Sequence, residues 1–76
     1  MITLIAFFDE NGEQKWVSFD DVADFLEMAD NDLPFRPDIQ PHFEVAMVVV
    51  GDEVNTSLPT ILDVIAYARK LIEANS

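Results

Sequence analysis

Carboxylates are the chemistry-bearing side chains this sequence has in quantity: fifteen Asp and Glu against four Lys and Arg, with one histidine and no cysteine, for a formal net charge of −11. Asp20, Asp21, Asp24, Glu27, Asp30 and Asp32 follow one another with no base between Lys15 and Arg36. On a helix, acids three or four residues apart stand about 5 to 6 Å apart. That is close to the scale on which a nucleic-acid strand presents its phosphates, so the row could occupy a groove lined by Lys and Arg. Asp9, Glu10 and Glu13 form a second acidic group around Asn11-Gly12. Together these residues make up a candidate acidic surface for binding a partner.

Catalysis has few candidates. His42 lies beside Pro41 and has no thiol or glycine-rich loop to work with, since Gly12 and Gly51 are the only glycines. Asp30 and Asp32 alternate as calcium ligands do, but the calcium loop's glycine is missing and Pro34 takes a would-be ligand position. The chain is expected not to be an enzyme, and to have no catalytic residue, cofactor or metal site.

The elements that position these acids follow from periodicity. Residues 2–8 read as a strand, and Asn11-Gly12 suits a two-residue type I′ hairpin leading to a return strand over residues 15–19. In that register Phe7 faces Trp16, Ile5 faces Ser18 and Glu10 faces Glu13. Residues 18–30 carry Phe19, Val22, Phe25, Leu26 and Ala29 at helical spacing, with Ser18 or Asp20 as the cap. Residues 30–42 hold three of the four prolines and read as an ordered crossover pinned by Leu33, Phe35 and Ile39. Residues 43–50 form an apolar strand, residues 51–57 a loop, and a last helix capped by Thr56 or Ser57 runs to about residue 74.

The order is β-β-α-β-α in a single domain, residues 1–76. A right-handed crossover places the third strand beside the first. The expected fold is α+β: a two-layer α/β sandwich whose three-stranded, mainly antiparallel sheet (order 2-1-3) carries two helices on one face. Such a sheet leaves its other face and the edge of the third strand open. Ile5, Phe7, Trp16 and Val48 are the expected residues of that apolar interface.

Charge then separates the functional classes. Residues 1–38 hold ten acids and two bases, and residues 39–76 five and two. A surface this acidic repels nucleic acid and anionic membrane and speeds encounter with basic partners. Direct nucleic-acid binding and membrane binding are not expected, and a chain with no basic leader and no apolar run near the ~20 residues of a membrane span reads as cytoplasmic.

Two functions compete. The first is an inhibitor that binds a basic protein or ribonucleoprotein complex handling nucleic acid and acts by charge mimicry. In size, acidity and lack of catalytic groups it resembles phage-encoded anti-restriction and anti-CRISPR proteins, a likeness of class carried by no motif. The second is a homodimeric structural or interaction subunit that uses the open sheet face or edge, with acidity serving only solubility.

Overall fold

The computed structural model describes residues 2–75. Its first hairpin is set by its turn. β1 (Thr3–Phe8) and β2 (Gln14–Phe19) pair antiparallel. Between them the Gly12 N–H donates to the Asp9 carbonyl and the Asp9 N–H to the Glu13 carbonyl, both at 3.0 Å. Gly12 takes φ 78°, the left-handed conformation open to glycine. This is a type I turn followed by a glycine bulge, a loop one residue longer than the sequence suggested. The Asp9 carboxylate holds it, accepting from the N–H groups of Asn11 (2.9 Å) and Glu13 (3.0 Å).

That extra residue slides the pairing by one. Ile5 lies opposite Val17, Ala6 opposite Trp16 and Phe7 opposite Lys15. Because side chains alternate with period two, the slip changes which β2 residues share a face with Ile5 and Phe7. They are Lys15, Val17 and Phe19, and the three-way expectation of Ile5, Phe7 and Trp16 on one open face fails. Glu10 sits in the turn and does not face Glu13.

Asp21 caps α1 (Val22–Asn31), its carboxylate accepting from the N–H groups of Ala23 (2.7 Å) and Asp24 (3.2 Å). This satisfies two of the donors that a helix start leaves open. The chain then makes a 3-10 turn, Leu33–Phe35. Leu33 and Ile39 are buried, as expected of the proline segment, but Phe35 is 83% exposed. A 3-10 turn rotates about a third of a circle per residue, so anchoring Leu33 turns Phe35 away.

β3 (Val45–Val50) pairs antiparallel with β1 on the side away from β2, with a bulge at Ala46. Gly51, at φ 60°, begins a two-residue loop, the place where a type II′ turn takes glycine. The chain returns as β4 (Glu53–Asn55), pairing Val49 with Val54 and Val50 with Glu53. Among the described residues the sheet therefore has four strands, order β2-β1-β3-β4. β3 is interior to it, and the expectation that β3 forms an edge is corrected: the Gly51-Asp52 turn adds a strand where a loop was read.

Last comes α2 (Ile61–Asn75). Its cap is Thr60, beyond the expected Thr56 or Ser57. The Thr60 N–H and hydroxyl donate to the Asp63 carboxylate at 3.1 and 2.8 Å, and the Asp63 N–H returns a bond to Thr60 Oγ1 at 3.4 Å. This reciprocal box defines the helix start.

Both helices join one core with a single face of the sheet. Ile5, Phe7, Val48 and Val50 from the strands meet Phe25, Leu26 and Met28 of α1 and Ile61, Val64 and Ala68 of α2. Ile5, Phe7 and Val48, expected as an open interface, are therefore core residues. The opposite face carries Leu4, Ala6 and Phe8 with Gln14, Trp16 and Ser18 of β2, and Met47, Val49 and Val54. Trp16 is the one expected interface residue left outside, 52% exposed.

Candidate protein-binding surface

The acids predicted to act together fall into two regions. α1 turns Phe25, Leu26 and Met28 inward, which fixes its outward side by helical periodicity. Asp24 and Glu27 project there, with Asp20 just before the cap and Asp32 just past the helix end; all four are exposed. None of these side chains makes a hydrogen bond or ion pair among the described residues. Asp20 and Asp24 line one shallow depression together with Ile2, Ser18 and Phe19. Ile2 is 68% exposed, so an apolar side chain stands beside the carboxylates, a neighbour not picked out from the sequence.

Two acids of this helix have other work. Asp21 is the cap, as described. Asp30 accepts from Arg69 of α2, an ion pair across the helix–helix contact with both partners about half exposed. Exposed pairs of this kind contribute only ~0.2 to 1 kcal/mol.

The hairpin tip is different. Asp9 is the turn's internal acceptor, and Glu13 pairs with Lys15 at 3.5 Å. Asp9 and Glu10 line a hollow with Lys15 and Arg36, two of the four bases in the chain. Arg36 is itself held: its Nε and Nη2 donate to Asp38 Oδ1 and Oδ2 at 3.1 and 2.6 Å. The hydrogen bond from Arg36 holds the Asp38 carboxyl below its ordinary value, and the same bond raises Arg36. This fork-to-fork pair was not anticipated, although an Arg-Pro-Asp spacing around a fixed proline is a local signal for it.

The tip was expected to extend the helix surface through a short second strand. β2 has six residues, which at about 3.3 Å each separates the tip from Asp20 by roughly 20 Å. The loop at residues 36–43 approaches the tip, whereas the start of α1 lies at the other end of β2. Asp9, Glu10 and Glu13 are therefore not continuous with Asp20, Asp24 and Glu27.

Among the described residues, no group of three His, Cys, Asp or Glu side chains is placed to hold a metal ion. His42 packs edge-on against Phe43, ring centroids 5.0 Å apart. No helix of the described residues is long and apolar enough to cross a membrane. Comparison with family models, curated proteins and solved structures finds no match to this chain.

Proposed function

We propose that this chain is a small acidic protein-binding inhibitor that engages a basic, nucleic-acid-handling protein or ribonucleoprotein complex. The α1 face stands in for a stretch of phosphate backbone. The observation that carries this reading is the row Asp20, Asp24, Glu27 and Asp32, exposed and, among the described residues, in no ion pair with a base.

A helix selected for stability alone gains from opposite charges three or four residues apart. α1 itself carries Asp24 and Glu27 on its outward side, Asp20 precedes its cap and Asp32 follows its end, and it has no basic residue in its last turn, where the helix dipole favours one. Among the described residues no base forms an ion pair with Asp20, Asp24 or Glu27, and Arg36 acts on Asp32 only at longer range, so a cationic groove would bring a countercharge to this side. Ile2 beside Asp20 and Asp24 gives such a contact an apolar point as well as charge. In this reading the reaction is competition: the acidic helix occupies the site a nucleic acid would take, with no covalent step.

Low-salt capture from a bacterial lysate tests this, with duplex DNA or RNA added as competitor. The expected result is a basic complex that is retained at low salt, displaced by nucleic acid and released as salt screens the contact. Capture that nucleic acid does not displace, or no capture of a basic protein, contradicts the reading.

A further inference from the structure

The two edges of the sheet are finished differently. β4 is three residues long and carries Glu53, whereas β2 runs for six residues in regular pairing with no proline, its one charge being Lys15, whose backbone N–H and C=O bond to β1. Short charged edges resist pairing with another strand, and long regular ones invite it.

Hydrogen-bond parity shows which groups β2 leaves open. The Asp9 N–H donates across the hairpin to Glu13, while the Phe8 N–H donates the other way, to Glu44 on the β3 side. In an antiparallel ladder the bonded pairs alternate. Lys15, Val17 and Phe19 thus bond to β1, and Gln14, Trp16 and Ser18 turn their N–H and C=O groups outward. These three residues are exposed and uncharged. No loop or turn backbone group among the described residues bonds to them.

We propose that β2 pairs with β2 of a second copy of this chain, antiparallel about a two-fold axis at Trp16, so that two sheets become one. The register follows from the open groups. Setting Trp16 opposite Trp16 and Gln14 opposite Ser18 uses every outward donor and acceptor on both copies, about six hydrogen bonds. It also sets Lys15 opposite Val17, so no like charges face each other within the strands. Sliding one step towards the hairpin puts Lys15 opposite Lys15 and leaves Ser18 unpaired; sliding the other way leaves Gln14 unpaired. A second copy thus supplies a strand of the same length, with its open groups in the same phase and no charge on its outward-bonding residues, Gln14, Trp16 and Ser18. Trp16 gains a twin across the axis, on the face it already shares with Leu4 and Phe8.

Two chains of net charge −11 repel at long range, so pairing strengthens as salt rises. That is opposite in sign to the contact proposed for α1.

Sedimentation equilibrium together with amide hydrogen exchange over a range of concentrations tests the proposal. A dimer is expected in which the Trp16 and Ser18 amides become protected as concentration rises, while the Glu10 amide in the turn does not. Trp16→Pro removes an N–H that faces away from β1, a substitution edge strands tolerate. It should raise the dimer dissociation constant about tenfold or more, with circular dichroism unchanged. Should that variant fail to fold, Trp16→Lys sets two cations opposite each other on the axis, and its dimerising as the wild type does would overturn the proposal. A chain that stays monomeric up to about 1 mM, or a dimer whose Trp16 amide exchanges as in the monomer, would overturn it too.

Discussion

The outward side of α1 and the hairpin tip are both acidic, yet they differ in how their charge is held. At the tip, Asp9 is consumed in closing the turn, Glu13 has Lys15, and Arg36 lies across the same hollow. Along α1, Asp20, Asp24 and Glu27 have no such partners among the described residues, and Asp32 meets Arg36 only at longer range. The scaffolds differ as well: α1 is seated by burying Phe25, Leu26 and Met28, whereas the tip is held by a few hydrogen bonds and one left-handed glycine. Acid count alone therefore does not define a binding surface. What matters is which carboxylates the fold leaves uncompensated and how rigidly it presents them.

The comparison can be broken at its scaffold first. Phe25 is 0% exposed and packs edge-on against Phe19 at 5.3 Å. Phe25→Ala should destabilise the fold by about 3 to 5 kcal/mol in urea denaturation. Asp9→Ala, which removes only the acceptor of the turn, should cost about 1 kcal/mol. Equal losses would mean that the tip is as firmly built as the helix.

Charge comes next. The double change Asp24→Lys and Glu27→Lys should weaken capture of the basic partner about a hundredfold, whereas Glu10→Lys with Glu13→Lys should change it by no more than about threefold. Circular dichroism should show both double variants folded, because all four side chains are exposed.

Two smaller effects sharpen the picture of what holds each region. Thr3 is 2% exposed on the core side of β1, and its hydroxyl has no hydrogen-bond partner. Thr3→Val should therefore stabilise the fold by about 1 kcal/mol, read as a raised melting temperature. Near the tip, Asp38 has a lowered pKa because Arg36 hydrogen-bonds its charged form. A depressed carboxyl stabilises the fold above the ordinary Asp range and loses that contribution as pH falls through the lowered value. The effect should be slight, since Asp38 is largely exposed and the pair is well screened. Asp38→Asn should abolish that part of the acid-side slope.

Periodicity made much of the fold legible. Phe25 and Leu26 of the α1 stripe, the order of the first three strands and the anchors Leu33 and Ile39 follow from apolar spacing, whereas Met28, buried as well, lies outside the expected stripe. Turn chemistry was harder to read. Asn11-Gly12 is compatible with a two-residue turn, but the Asp9 carboxylate favours the longer one by satisfying two more N–H groups. That single choice moved Ile5 and Phe7 from the expected open face into the core. Gly51-Asp52 was itself a hairpin signal, hidden because the strand that follows is only three residues long and holds Glu53 and Asn55.

The acidic site was partly legible for the same reasons. Helical spacing places Asp20, Asp24 and Glu27 on one side of α1 without any structure. Which acids are neutralised depends on contacts distant in sequence, such as Arg69 with Asp30, and on loop geometry, such as the Arg36–Asp38 fork. Spacing alone carries no information about either.

The most direct test of the account is a salt titration of partner binding by three proteins: the wild type, the Asp24→Lys/Glu27→Lys variant and the Glu10→Lys/Glu13→Lys variant. The account predicts that the wild type and the tip variant lose affinity steeply and in parallel as salt rises, while the helix variant binds weakly with a shallow slope. If the tip variant shows the flattened slope and the helix variant follows the wild type, the binding surface lies at the hairpin and the role given to α1 is wrong.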